Sequence, residues 1–492
     1  TVNNTGAIRD GIYLGEDLDN YETTQIRTFV QEGPELVTAE NEPFLQTYTV
    51  NQNSLLGGGI YVSGAFGIVD PTVQTSTIDA TINLNNGSIT TGTIYGEFDE
   101  ETGERFTQTD VNLNGGGYFG LTNGESEGYT FFGRNGTNPL WRNFRTIDPQ
   151  VEYYDSLETY EGPARVIGVE NLTKTGNGTF YIYGAAYQPA SLTNAFADYT
   201  IDVGTFGIRG GEIQLAVSGS EYFFGGEDSI FGIRGNLEND ATLVLGRRVT
   251  APNDLFASNV VNQGLDAIAG LQIYQLGDFT QSETGTLVVG QLPSLMRYYN
   301  PTVGTGYTTN EPLGVGGAMV SLGYFTTPEN ALGNLFGEDS YAFQTSFVTL
   351  DGDLSLDGTV ELVGPGGGIY LNGATQDIFS VSGDVTLGAE VEGANNNFVS
   401  FGLGQREEGD RTIVYVGANR AGYETVGLNE NAIAAGVALT NSVPYVVNLL
   451  TNDGPYNSVE QFGLIQDMAT IIAGFDSVLT RAQVSQALNE LA

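Results

Sequence analysis

The chain runs to 492 residues, 40% of them hydrophobic, and sets 59 acidic side chains against 17 basic ones for a formal charge of −42. That is enough apolar material for a substantial core, and so large an acidic excess argues against nucleic acid or an anionic lipid surface as a partner, because both need a basic face. Histidine and cysteine are absent altogether, which removes disulfides, the usual zinc ligands and every nucleophilic mechanism with a histidine base.

The chain opens at Thr1 with neither a charged n-region nor an apolar h-region, which predicts a processed mature product or a trimmed one. No apolar run approaches membrane-spanning length, so no transmembrane segment is expected. Residues 1–50 read as an N-terminal extended segment. Its first stretch, TVNNTGAIRDGIYLG, carries Ile8, Ile12, Tyr13 and Leu14, which can add as a strand to an exposed sheet edge and so serve self-assembly.

From there to about Arg420, Val, Ile, Thr, Tyr and Phe alternate with polar residues, as in STIDATINL, GTFYIYG, ATLVLG, TGTLVVG and RTIVYVG, which is the period of strands. Between such runs sit Asn86-Gly87, Asn114-Gly115, Asn135-Gly136, Asp351-Gly352, Asp357-Gly358 and Asn372-Gly373. These dipeptides supply the positive φ angles of type I′ turns, so antiparallel hairpins are the natural expectation. Short echoes point to related modules without a strict period: TID at Thr77–Asp79 and Thr200–Asp202, FFG at Phe131–Gly133 and Phe223–Gly225, and FGIRG at Phe206–Gly210 and Phe231–Gly235. Three modules are read, over residues 51–155, 156–305 and 306–425, the second interrupted by one helix at 254–271. The predicted class is all-β and rich in antiparallel strands, as a multi-module sandwich or barrel or an irregular β-solenoid, with a small C-terminal α-helical segment.

Residues 426–492 change character. LNENAIAAGVAL is Ala-rich and helical. SVEQFGLIQDMATII starts with Ser458 and Gln461 at capping-box spacing and puts Phe462, Ile465, Met468, Ala469 and Ile472 on one face. TRAQVSQALNELA repeats the device with Thr480 and Gln483, ahead of a stripe of Val484, Ala487, Leu488 and Leu491. A partner subunit or the chain's own β-body can bury that stripe, and Val484, Leu488 and Leu491 are candidates for self-assembly.

GLNENAIAAGVALTNSV followed by LTRAQVSQALNELA resembles the junction of autotransporter proteins, where an Ala-rich helix and a final L..AL..L helix join the exported passenger to its outer-membrane barrel. The resemblance covers residues 427–492 and implies a passenger separated from the barrel that would follow Ala492. The body, in contrast, is read as lacking the short regular rungs of the usual passenger β-helix. Its glycine-punctuated hairpins are more similar to the small barrels of surface transferrin-binding lipoproteins.

The candidate sites are few. The triplets of GGGIYVSG (Gly57–Gly64) and GGGIYLNG (Gly366–Gly373) run into strand signals rather than a helix N-terminus, so they read as strand corners and not as phosphate loops. GESEG at Gly124–Gly128 matches the nucleophile-elbow pattern around Ser126 but has no histidine to serve it, and reads as an acidic hairpin loop. In DGDLSLDG, Asp351, Asp353 and Asp357 alternate along what reads as one strand. Their oxygens suit Ca²⁺, although a solvated strand face is the plainer reading. GEDLDN, with Glu16, Asp17 and Asp19, is similar. Paired carboxylates can run a glycosidase without histidine, but sequence spacing does not set any two of them across a cleft.

The expectation is a secreted structural protein of a bacterial surface, not an enzyme and with no required cofactor beyond a role for Ca²⁺. It assembles with copies of itself, or with other surface components, into a filament, layer or matrix. The rival readings are an adhesin or ligand-capturing surface protein, a carboxylate-based glycosidase or lyase, and a porin-like barrel, the last disfavoured by the helical ending.

Overall fold

The computed structural model describes residues 1–8, 11–14, 46–56, 59–62, 78–98, 105, 107–120, 165–185, 200–218, 230–249, 267–290, 296–299, 318–321, 346–363, 371–393, 397–451, 464, 467–468, 471–472 and 474–491. The molecule is strand-rich, and the strands are paired mostly in parallel. In a first ladder, Val2–Asn4, Gln46–Gln52, Ile78–Leu84, Thr107–Asn114, Val166–Thr175, Ile201–Ile208 and Ile230–Asn239 follow one another, with the register shifting at Ile167/Val169 and at Asp202/Thr205. The ladder continues through Phe279–Gln281, Leu354–Leu356 and Val385–Leu387. A second ladder of ten strands runs from Ala7–Ile8 to Glu390–Glu392. A third begins with Ile12–Leu14, Ile60–Val62 and Ile94–Gly96, and joins the first where Val166 and Ile167 pair with Ile94 and Tyr95.

The strand alternation explains this arrangement. Val2, Val50, Ile82, Val111, Leu172, Phe206, Leu237, Phe279 and Leu354 are successive ladder partners, and all point into a single apolar core. One position further along, on the opposite face, Asn3, Asn51, Asn83 and Asn112 form a column of side-chain amides. Each Nδ2 donates to the Oδ1 of the asparagine one level back, at 2.7, 2.8 and 3.0 Å. A second such column runs through Asn53, Asn85 and Asn114 at 2.9 and 3.0 Å. Identical amides stack this way only between parallel strands in register.

The parallel ladders correct the expectation of hairpins. Asn86-Gly87 and Asn114-Gly115 take positive φ, 83° and 80° at the glycines, but each joins strands of two different ladders. Asp351-Gly352 and Asp357-Gly358 are likewise corners. A left-handed residue turns a corner as readily as it closes a hairpin, so the dipeptide does not report strand direction. Antiparallel pairing is confined among the described residues to Gly246–Val249 with Ala267–Gly270, Met296–Tyr299 with Ala318–Ser321, strand Arg411–Arg420 with both Val399–Glu408 and Thr375–Val381, and an isolated bridge between Phe98 and Arg105. Ala267–Gly270 is thus extended where the end of a helical insertion was expected, and residues 250–266 lie outside the described residues. Ladder pairs cross each expected module boundary, as Asp110 with Asn171 and Gln272 with Phe347 do.

The hairpin of Val399–Glu408 and Arg411–Arg420 turns at Gly409, φ 68°, and leads into a helical unit. Helix α1, Glu430–Thr451, is capped by Asn429, whose Oδ1 accepts from the Ala432 N–H at 2.8 Å. Helix α2, Arg481–Leu491, carries the expected capping box: Gln483 N–H donates to Thr480 Oγ1 at 3.3 Å and Thr480 N–H to Gln483 Oε1 at 2.9 Å. Val484 and Leu488 are fully buried in a second core with Tyr423, Ala432, Val443 and Phe475. The chain itself therefore covers most of the stripe, and Leu491 remains exposed. The first helical capping pair, Ser458 and Gln461, lies outside the described residues.

Candidate functional site

On the outward side of the third ladder one column of ladder partners reads Tyr61, Tyr95, Ile167, Asp202, Arg234. The rings of Tyr61 and Tyr95 lie 6.4 Å apart, and that of Phe98 is 6.0 Å from Tyr95. Ile201 and Val203, on either side of Asp202, face the core, so the alternation of the strand sends the Asp202 carboxylate outward. It is nonetheless buried, at 4% exposure, because Arg105 lies against it.

The surroundings form a cleft of about 340 Å³ whose lining includes Phe98, Leu276, Arg105 and Arg234. Its floor contains Gly168, Gly235 and Gly277. A Cβ on these residues would sit 2.0, 1.9 and 2.2 Å from a carbonyl oxygen of the preceding level. Backbone packing therefore requires glycine there, and with no side chain the floor stays open.

Arg105 Nη2 is 4.0 Å from Asp202 Oδ1 and Arg234 Nη1 is 3.9 Å from Oδ2, both beyond hydrogen-bond length. Asp202 Oδ2 has no hydrogen-bond partner among the described residues. Burial pushes the carboxyl up to about 6, against the opposing pull of Arg234 and Arg105. Arg105 also donates through Nε to the Val169 carbonyl at 3.1 Å, and the exposed Glu170 carboxylate lies 3.9 Å from the same nitrogen. Chemically, the cleft offers a carboxylate acceptor between two guanidinium donors, with Phe98 and Leu276 as apolar surfaces beside them.

Of the residues singled out from sequence, Asp351, Asp353 and Asp357 do not share one strand face. The strand is Leu354–Leu356, with Asp351 and Asp353 at the corner before it and Asp357 at the corner after. Asp351 accepts from Arg411 Nη1 at 2.9 Å and from the Tyr274 hydroxyl. Asp353 accepts from the Asp384 N–H at 2.8 Å, and its own N–H donates to Asp278 Oδ1 at 2.9 Å, one link of a column that starts at Asn236. Asp351 and Asp353 thus accept hydrogen bonds within the fold, and no group of three or more acidic side chains able to hold a metal ion occurs among the described residues. Gly59, of the first triplet, precedes the strand Ile60–Val62. A Cβ there would meet the Thr93 carbonyl oxygen at 2.2 Å, a close approach at a strand corner. The triplet at Gly366–Gly368, the GESEG run and Glu16, Asp17 and Asp19 lie outside the described residues. Ile12 and Leu14 are buried in the first level and Ile8 is half-buried.

Sequence reading missed Asp202, Arg105 and Arg234. Asp202 and Arg234 sit inside the TID and FGIRG echoes, and an acid between two β-branched core residues was the available signal. A scan against protein-family models and a search of curated proteins returned no match for the chain.

Proposed function

We propose that the chain is a secreted, non-enzymatic structural protein of a bacterial surface, built as an elongated parallel β-solenoid that associates with copies of itself. One observation carries this reading: the first ladder is paired strand to strand from Val2 to Leu387 over a single core, without a break at any module boundary. The ten strands of the second ladder, at about 4.8 Å spacing, span about 43 Å from first to last. Such a stack grows along its axis, which suits a stalk or fibre more than a compact catalyst.

Stacked parallel levels are also the body of the usual autotransporter passenger. They support the passenger reading of the helical junction at residues 427–492, against the irregular body expected from sequence. Two features support association. Among the described residues Val2–Asn4 has a first-ladder partner on one side only. On the helical unit Leu428, Ile433, Val437, Tyr445 and Leu491 are exposed.

Small-angle scattering and sedimentation of the purified chain across concentration, in salt, test the proposal. A rod-like particle that associates end to end as concentration rises is expected. A compact monomer at all concentrations, or turnover of an ester, peptide or glycoside abolished by changing one carboxylate, overturns it.

A further inference from the structure

We propose that the cleft at Asp202 binds a neutral saccharide, with Tyr61 and Tyr95 extending the site along the outside of the ladder. The spacing of the polar groups is the first reason. A hydroxyl oxygen placed about 2.8 Å from a carboxylate oxygen and from a guanidinium nitrogen that are 3.9–4.0 Å apart subtends about 90° between them. Such a group donates to Asp202 and accepts from the arginine, filling a gap too wide for a direct bond. Asp202 has one such gap on each side, and its buried Oδ2 has no hydrogen-bond partner among the described residues. Two neighbouring hydroxyls on one ligand match this acceptor flanked by two donors.

The second reason is the shape. A water takes up about 30 Å³ of liquid, whereas the cleft holds about 340 Å³ and its lining includes Phe98 and Leu276. A sugar ring presents apolar C–H faces to such surfaces and hydroxyls at its rim. The third is the column itself. Tyr61, Tyr95 and Phe98 form a line of rings at 6.4 and 6.0 Å that leads toward the cleft. Among the described residues the two arginines offset the charges of Asp202 and Glu170, a balance that suits a neutral ligand over a uronate.

The test is calorimetric titration of the full chain with neutral hexose oligosaccharides of one to four rings, built on glucose, galactose and mannose, with an oligouronate for comparison. The same panel is run on Asp202→Asn and Tyr95→Ala, with circular dichroism and thermal melting to verify the fold. The expected result is saturable binding of at least one neutral sugar, weakened tenfold or more in D202N while its melting temperature is not lowered. Y95A is expected to weaken a four-ring ligand more than a single ring. Binding also weakens from pH 7 to pH 5 as Asp202 takes up a proton among Arg105, Arg234 and Glu170. No saturable binding to any neutral sugar, affinity unchanged in D202N, or binding of the uronate alone overturns the proposal.

Discussion

The Lys174 ammonium donates to the carbonyl of Gly210 at 2.9 Å, tying one level of the stack to the next. Its other two bonds go to the carbonyls of Thr175 and Gly176, at 2.9 and 3.0 Å. Lys174 is the single lysine of the chain, it is fully buried, and all three of its donors are used. Its ladder neighbours in the same inward position are Leu113 and Ile208. An apolar residue there continues the core but leaves the corner carbonyls unpaired. Lys174→Met is therefore expected to cost about 3 kcal/mol, since three bonds to a charged group at about 1.5–3 kcal/mol each are lost while the burial cost of the ammonium is relieved and the stem remains packed. Urea unfolding of the two proteins measures the difference, and equal midpoints contradict this role.

Asp202 gives stability a pH dependence opposite to that of a salt-bridged carboxylate. Its folded-state value is raised to about 6 from an ordinary 3.8, so the folded chain holds a proton that the unfolded chain releases. The associated stability is fully present below pH 3.8 and is lost as pH rises through about 6. Each unit is worth about 1.4 kcal/mol, so the loss by pH 7 is about 3 kcal/mol. Asp202→Asn removes that slope and is expected to melt higher than the parent at pH 7 but not at pH 4. Melting curves at the two pH values decide it.

Two glycines with positive φ separate conformational cost from packing cost. Gly373, φ 78°, has nothing among the described residues within 4 Å of a notional Cβ, whereas Gly235, φ 112°, would place it 1.9 Å from the Val203 carbonyl oxygen. Gly373→Ala is expected to cost about 1 kcal/mol, the left-handed penalty alone. Gly235→Ala must also displace a neighbouring strand, with a total of about 4 kcal/mol. If denaturant titration gives both the same loss, the close stacking at Gly235 is wrong.

Strand content and the helical end were legible because each depends on local chemistry. Alternation placed Ile78–Leu84, and the Thr480–Gln483 box formed where its spacing indicated. Strand direction was not legible, since Asn86-Gly87 serves a corner as well as a hairpin. Nor was the repeat. Ladder partners are 32 residues apart at Asn51 and Asn83, 29 at Asn83 and Asn112, but 61 at Asp110 and Asn171. Long insertions between levels hide a period that the levels themselves keep. The FGIRG echo misleads further, because Phe206 pairs with Leu237 while Phe231 pairs with Ile273. Asp202 could not be picked out in a chain of 59 acids, because what distinguishes it is the residue lying over it and the glycines beneath.

The helical unit is held to the β-body by a buried charge network that can be dissected. Arg420 ends the last strand, and its two Nη atoms each lie 2.8 Å from an oxygen of Asp476. The Tyr423 hydroxyl donates to Asp476 Oδ1 at 2.7 Å, and the Asp476 side chain is fully buried. Burial raises the Asp476 carboxyl, against the opposing pull of Arg420, and burial keeps the Tyr423 phenol protonated well beyond its ordinary range. Arg420→Met leaves a carboxylate in the core with Tyr423 as its remaining side-chain donor among the described residues. The expected loss is about 3–5 kcal/mol at pH 7, because one charge of a buried pair is then uncompensated. The loss shrinks as pH falls, since a protonated Asp476 needs no cation. Adding Asp476→Leu to Arg420→Met removes both charges and is expected to recover part of the stability, because an apolar replacement of a whole buried pair is close to neutral. The double-mutant cycle, read by denaturant unfolding at pH 5 and pH 7, therefore carries a coupling term that is larger at pH 7. Additive losses with no pH dependence would show that packing of Phe398, Tyr423 and Phe475, and not the ion pair, fastens the helices to the sheet.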